Sequence, residues 1–579
     1  MSQPPARLPS RTARARRAVA GTLAVALVAS LLGSCGLVGG DDDAEQVDSG
    51  GGGATFTATE SGLDEAGDPR RGGQLVYGLE AEVSDKGYCL PEAELAISGM
   101  QVARAIYDTL TVPDATGAYV PYLAKAVEHD DTYKIWTISL RSDVTFHDGT
   151  PLTAEVVKNN LDAYRGAYEG RSPLLFSFVL SNIAEVETLN ELTVRVRTKE
   201  PWVAFPAVLY ASGRLGMMAQ RQLDASPEDC STKPVGTGPF RFQSWTRNED
   251  LKVRRNAEYW QIAPDGEPYP YLDAIEFRPI QNSDARIAAL QQGELNMLHT
   301  STSADMAGTL PDLRDAGAIN LLISDERTEV AYLMLNSSKT PLDDRATRLA
   351  IANAIDREAL NEQANNAFPA IADGPFAPGV LGHLDDTGFP SYDPEAAKAA
   401  VAEMADAGGD TTLSLLTSAG PVAVRQAQIQ KEMLEEAGFT IEIEIETEAD
   451  LIKRVIGGEY EIASFRNQPG EDPDMNHIWW YGTANPVNFG RFDDPVINEN
   501  LDLARSNPDE EVRRDAYEAI NRQFAEEVWN VWLWHAPWAV AEAPNVHGIL
   551  GPELPGEGGA PSGRLVTGHS LLGIWISAA

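Results

Sequence analysis

The residues of this chain that could do chemistry are few, and their spacing argues for holding a molecule rather than transforming one. His147 is followed by Asp148 and Gly149. A single histidine beside a turn aspartate serves hydrogen bonding, because a metal site or a catalytic relay needs further partners at fixed spacing. The eight histidines show no paired spacing, so neither a bound metal nor another cofactor is expected. Gly-x-Ser-x-Gly, His-Glu-x-x-His and a supported Cys–His arrangement are absent, which leaves no hydrolase machinery to propose. Gly236 and Gly238 lack the third glycine and the Lys-Ser/Thr of a phosphate loop; backbone freedom before a strand accounts for them. Groups suited to non-covalent recognition are denser. Trp479-Trp480-Tyr481 and, later, Trp529, Trp532, Trp534 and Trp538 offer apolar walls with a polar edge, fit for bulky side chains or sugar faces, although part of them must be core.

The start of the chain says where such a site would work. Arg7, Arg11, Arg14, Arg16 and Arg17 precede an apolar run from Ala18 to Leu32, which ends in Gly33-Ser34-Cys35. A charged start, a short apolar stretch and small residues read as an export signal, too short for a comfortable membrane span. A Cys directly after small residues resembles a bacterial lipobox. Residues 1–34 are therefore expected to be removed and Cys35 to carry the lipid that holds the chain on the extracytoplasmic face of a cell membrane. Residues 35–71, rich in Asp, Gly, Ser and Thr, read as a flexible tether. With 46 basic against 86 acidic residues and a net charge of −40 at pH 7, the chain repels nucleic acid. A length of 579 residues, 43% hydrophobic, supports two or three domains. With Cys35 assigned to lipid, Cys89 and Cys230 remain as an even pair in an oxidising compartment and are expected to form a disulfide.

The elements that would position a site mix both periodicities. Gly73–Gly78, Lys134–Leu140 and Leu192–Val196 read as strands, and Ala154–Tyr164 as a helix capped near Thr153. Ala285–Leu295, Ala346–Leu360, Asp393–Met404 and Val422–Ala437 read as helices. Phe439–Ile445 follows as a strand with one acidic face, so the C-terminal half is expected to be a mixed α/β layer.

An ordered series of motifs sharpens this. Trp136 to Val156, with Phe146-His147-Asp148-Gly149-Thr150-Pro151 at its centre, resembles the signature of the oligopeptide/dipeptide/nickel-type solute-binding proteins (bacterial solute-binding family 5) that serve ABC importers. Pro234-Val235-Gly236-Thr237-Gly238-Pro239-Phe240, Arg255–Trp260, Ala289–Asn296, Ala331–Asn336, Arg348–Arg357, Asp393–Lys398 and Asn488–Pro495 continue the pattern in the family's order. The resemblance implies an α/β, two-lobed periplasmic-binding-protein fold with an accessory domain inserted in the first lobe. By analogy the first lobe takes 72–113, 228–335 and 545–575, the accessory domain 114–227, and the second lobe 336–544, with hinge crossings near Leu335-Asn336 and Pro544-Asn545.

The same resemblance points to the ligand contacts. Family members commonly hold a peptide's ammonium with an Asp just after the strand that resembles Tyr460–Phe465. Here that place holds Arg466, Asn467 or Gln468, while Asp472-Pro473-Asp474 matches. Either Glu471 or Asp472 substitutes, or the ligand presents an acid or polar group to Arg466, whose fork suits a carboxylate. Glu80, Glu82 and Tyr88 follow the first strand, with Glu82 the preferred amine partner from that lobe. The expected contact set is Glu80, Glu82, Tyr88, Phe465, Arg466, Asn467, Asp472, Asp474, Trp479, Trp480 and Trp534. The implied protein is a monomeric, non-enzymatic receptor that captures an oligopeptide by lobe closure and delivers it to a permease and its ATPase. An oligosaccharide, another organic solute or a nickel chelate is the alternative cargo.

Overall fold

Two long strands, Asn320–Leu335 and Asn530–Glu542, run antiparallel through the middle of a ten-stranded sheet and carry it from one half of the molecule to the other. The computed structural model describes residues 68–578 apart from 174, 468, 469, 471, 483, 566, 567, 569 and 570, and of 325–327 and 449 only the backbone. The expected signal peptide, the lipid on Cys35, most of the tether, Gln468 and Glu471 lie outside the described residues.

On one side of the central pair lie Ile462–Asn467, Thr412–Ser418 and Thr440–Glu446. On the other lie Met297–Thr300, Gln74–Leu79, Ala274–Pro279, Asp250–Arg255 and Phe240–Thr246, in that order. Asn530–Glu542 is buried at every position, which is why its sequence is a nearly unbroken apolar run: both faces are covered. Thr412–Ser418 pairs in parallel with both neighbours, and helix Pro421–Glu436 makes the crossover to Thr440–Glu446 that a parallel pair demands.

The central ladder breaks in its middle. Ser324 faces Trp538, but the next pair is Glu329 with Ala536. Pro537 sits in the gap with no N–H to donate, and residues 325–328 bulge out opposite it. The break leaves one stretch of the pair beside Met297–Thr300 and the other beside Ile462–Asn467.

A separate antiparallel sheet is built from Ala124–His129, Ile135–Leu140, Thr193–Thr198 and Ile183–Asn190, in that order. Ile135–Leu140 and Thr193–Thr198 alternate half-buried with buried residues, as a strand with one packed face must. Helix Ala154–Tyr164 packs on this sheet, its start capped by the Thr153 hydroxyl. Cys89 and Cys230 are joined by a disulfide across 141 positions of sequence. Order reaches back at least to Arg71, whose guanidinium holds Asp265 through two hydrogen bonds of 2.6 and 2.7 Å.

Two local readings are corrected. Ala346–Leu360 is not one helix but part of two, Arg345–Ala354 and Arg357–Asn365, because Asp356 accepts the Ala359 N–H and starts the second. Gly236 and Gly238 are needed for close approach rather than for backbone freedom: a Cβ at Gly236 would lie 2.1 Å from the Ile106 carbonyl oxygen, and one at Gly238 2.7 Å from it. His147 stitches this loop down, with Nδ1 accepting from the Gly236 N–H and Nε2 donating to the Gly238 carbonyl. Burial lowers its pKa to about 4, so it stays neutral.

Candidate ligand crevice

The break in the central ladder is where the strand ends of both halves meet. Gln74–Leu79 and Met297–Thr300 run in parallel and finish there from one half, with Thr300 opposite Ala539. Ile462–Asn467 finishes there from the other, with Asn467 opposite Val330. Carboxyl ends of strands are where open α/β sheets take ligands, and here they bring a set of charges together.

Arg466, near the end of Ile462–Asn467, lies over the Trp538 ring at 5.4 Å and 3.6 Å from the Glu329 carboxylate. Trp538 Nε1 donates to that same carboxylate at 3.0 Å. The Arg466 side chain remains 40% exposed, and among the described residues it makes no hydrogen bond. Glu80 approaches from the other half. Burial would raise its pKa, but Arg286, Arg466 and the Ser301 N–H outweigh burial and hold it below the ordinary carboxylate range. It accepts from the Ser301 N–H at 2.7 Å, the Ser301 hydroxyl at 3.0 Å and Arg286 at 3.3 Å. His299 backs it, its Nε2 accepting from the Glu80 N–H and meeting the Ser98 hydroxyl, each at 3.1 Å; burial lowers this imidazole to about 3. Glu448, at the start of helix Glu448–Gly457, completes the set. Desolvation raises its pKa against the pull of Arg466, and Glu80 and Glu329 push it further up.

The other expected contact residues fall into separate places. Phe465 and Asn467 point to the opposite face of their strand from Arg466. There, with Tyr332, Trp479, Trp480 and Phe489, they line a small hollow. Trp480 itself is buried against Phe376 and Phe524. Trp534 is buried beside Ile371. Glu82 is engaged within its own half, accepting from Trp245 Nε1 at 3.2 Å and the Asn248 N–H at 2.9 Å. Tyr88 is buried against the same Trp245 ring. Asp472 holds one Arg513 nitrogen, Nη2, between its two oxygens at 2.7 and 2.8 Å.

Asp474 is enclosed: Arg505 grips it at 2.8 and 2.9 Å, and Trp202 Nε1 donates to it at 2.8 Å. Glu80, Glu329, Arg466 and Glu448 share one electrostatic neighbourhood. Sequence reasoning missed Glu329 and Glu448. Neither sits in a motif; the signal for Glu448 was only an acid just past a strand with an acidic face, and for Glu329 its closeness to Pro537 in the paired strand, which no linear pattern displays. Among the described residues no group of three or more His, Cys, Asp or Glu could hold a metal ion. No described helix is long and apolar enough to cross a membrane.

Comparison with known proteins fits this geometry. Residues 118–489 match the family described as bacterial extracellular solute-binding proteins, family 5 Middle. The glutathione-binding protein GsiB of Salmonella typhi is 28% identical over 350 residues, covering 59% of this chain and 64% of that protein. GsiB of Escherichia coli K12 is 28% identical over 342 residues, with the same coverage. The chain thus spans about 64% of the length of these curated relatives. AgaA of A. tumefaciens R10, solved with agropinic acid, superposes with a TM-score of 0.76 at 25% identity, covering 88% of this chain and 99% of AgaA. DppA of Helicobacter pylori, solved with the peptide STSA, gives 0.75 at 22% identity, covering 88% and 99%. The fold is that of the two-lobed α/β binding proteins. Because the family match takes in more than half of its length, the chain belongs to the family-5 bacterial extracellular solute-binding proteins.

Proposed function

We propose that this protein is the extracytoplasmic receptor of an ABC importer, held to the membrane by lipid on Cys35, and that it captures a peptide-like solute and passes it on unchanged. In this reading the first lobe (72–113, 228–335 and 545–575) and the second (336–544) close on the solute, with 114–227 as the accessory domain. The observation that carries it is Arg466: an exposed guanidinium with unused donors at the point where strand ends from both halves meet a broken central ladder. Contacts formed only when both halves approach would shift an open–closed equilibrium toward closure.

The solute would turn a carboxylate toward Arg466, since a planar fork matches two carboxylate oxygens. The relatives support a peptide-like cargo: GsiB is named for glutathione binding and DppA was solved with a peptide. AgaA, solved with agropinic acid, favours a second reading in which the cargo is another organic acid. The test is thermal unfolding of the chain from residue 36 onward against a panel of short peptides, glutathione and opine acids. A concentration-dependent rise in melting temperature with a member of the panel is expected. Absence of any rise across it would overturn the receptor reading, and turnover of a panel member would overturn the non-enzymatic one.

A further inference from the structure

We infer that the accessory domain latches the crevice shut: its Trp202-Val203 segment and Phe178 ring form a catch that closes on a ready-made ion pair of the second lobe. The inference rests on the division into lobes and accessory domain proposed above, and gives residues 114–227 a part in closure.

The accessory domain is joined to the first lobe by a dense seam. His147 bonds the Gly236–Gly238 loop through its ring at 2.9 and 3.3 Å and through its N–H at 2.8 Å. Arg241 donates to the His147 carbonyl, the Tyr122 and Tyr259 hydroxyls meet at 2.9 Å, and Gln261 donates to Tyr122 at 2.6 Å. A seam of this kind makes the two a single body. Toward the second lobe the same domain reaches with less. Trp202 Nε1 donates to Asp474, and the Val203 N–H donates to the Arg505 carbonyl, each at 2.8 Å. The Phe178 ring lies 6.4 Å from His477 and 6.1 Å from Tyr481, which stack on each other at 4.3 Å.

The place of this contact relates it to the crevice. Asp474 lies in the short helix Pro473–Asn476, just past strand Ile462–Asn467, whose end borders the broken ladder. Asn467 is tied to that helix through Asn476 at 2.9 Å. Trp202 therefore bridges the two halves beyond the strand ends, in the direction in which the crevice opens, and not at the central strands about which they bend.

Each side of the catch is complete without the other. In the second lobe Arg505 holds both Asp474 oxygens, Nε on Oδ1 at 2.8 Å and Nη2 on Oδ2 at 2.9 Å, so the charges stay balanced when Trp202 leaves. In the accessory domain the Trp202 N–H is bonded to the Tyr133 carbonyl at 3.0 Å and its ring packs on Phe205, so the indole is presented by a fixed arm. Parting exposes one indole N–H, one backbone N–H and their acceptors, all of which water can satisfy. Closing gains a hydrogen bond to a charged group, stronger than a neutral one, and the Arg505 guanidinium over the indole at 4.7 Å. A contact preformed on both sides and readily hydrated is suited to being made and broken. An ion pair divided between the two bodies would instead strand a buried charge on each.

The test uses the chain from residue 36 onward, without ligand, spin-labelled at exposed positions. Leu189→Cys with Val422→Cys spans the contact; Leu189→Cys with Ile262→Cys stays within the accessory domain and first lobe. Pulsed electron–electron resonance reads the distance distributions. In Trp202→Phe, which keeps a ring and removes the N–H, the ratio of long to short Leu189–Val422 separations should rise at least about tenfold. Phe178→Ala, at the half-buried rim of the contact, should raise it less and gives the same readout if Trp202→Phe does not fold. The Leu189–Ile262 distribution should match wild type throughout. An unchanged Leu189–Val422 distribution in these variants overturns the latch. So does movement of the Leu189–Ile262 pair, since the accessory domain would then ride with the second lobe. No guest is added, so a failure here leaves the receptor reading standing, and failure of the solute panel leaves these distances unaltered.

Discussion

Among the described residues the same trio of groups occurs twice, and the two copies are put to different use. Arg505, Asp474 and Trp202 are sealed. Arg505 and Asp474 are 6% and 1% exposed, their atoms are 2.8 Å apart, and Arg505 covers the indole at 4.7 Å. Arg466, Glu329 and Trp538 repeat the arrangement loosely: the ion pair widens to 3.6 Å, the ring contact to 5.4 Å, and Arg466 is 40% exposed. In the sealed trio the indole N–H and two guanidinium nitrogens all donate to Asp474, which fixes the segment after Thr193–Thr198 against the loop after Ile462–Asn467. In the open trio an indole and a carboxylate hold a guanidinium in place without saturating it. A charge that is oriented but not hydrogen-bonded is available to a guest; one that is gripped and dry is structure.

Exchanges that tell the two trios apart follow from this. Arg505→Ala strands Asp474 in a dry site and should cost about 3–5 kcal/mol of stability, seen as a large drop in denaturant midpoint. A loss below about 1 kcal/mol would show that the trio is wetter than its geometry implies. Trp202→Phe keeps the ring but removes one donor to a charged group, so the expected loss is about 1–3 kcal/mol. Removal of the ring's own coverage by Trp202→Ala should exceed it. Arg466→Ala is the counterpart in the open trio: stability should change by under about 1 kcal/mol, while peptide binding falls at least about tenfold in calorimetry. If Arg466→Ala unfolds the protein as readily as Arg505→Ala, the distinction between the trios fails.

A third arrangement tests what an acid does with no cation at all. Glu542, at the end of Asn530–Glu542, is buried with one oxygen unbonded and only Asn320 donating to the other; burial raises its pKa to about 8. The folded state therefore keeps a proton that the unfolded chain gives up near its ordinary 4.5, and stability declines as pH rises from there to about 8. Glu542→Gln should flatten that slope in melting-temperature series. A slope equal to wild type would mean that Glu542 is ionised and answered in the fold.

Much of this frame was legible in the sequence because it rests on local rules. Period-two alternation marked Ile135–Leu140, and Asp393-Pro394 with Gly408 marked the ends of helix Pro394–Asp406. The run of family motifs implied the two-lobed fold. What stayed hidden depends on register. Nothing in Ser324–Val330 announces that Glu329 faces Trp538 and Arg466, because that pairing arises only from the bulge opposite Pro537. Asp474 sits in a motif that suggested contact with a guest. The structure supplies it with Arg505 and Trp202, which lie far from it in sequence. Even the split of Ala346–Leu360 into two helices was a contest between apolar spacing and a single capping aspartate.

Pro537 carries one more implication. A ladder zipped end to end would make the central pair a stiff beam, and any change in the angle between its ends would strain a whole row of amide bonds. With an imino acid at mid-span and residues 325–328 out of register opposite it, that row is interrupted, so a change of angle there would fall on a few dihedrals and leave the pairing at either end intact.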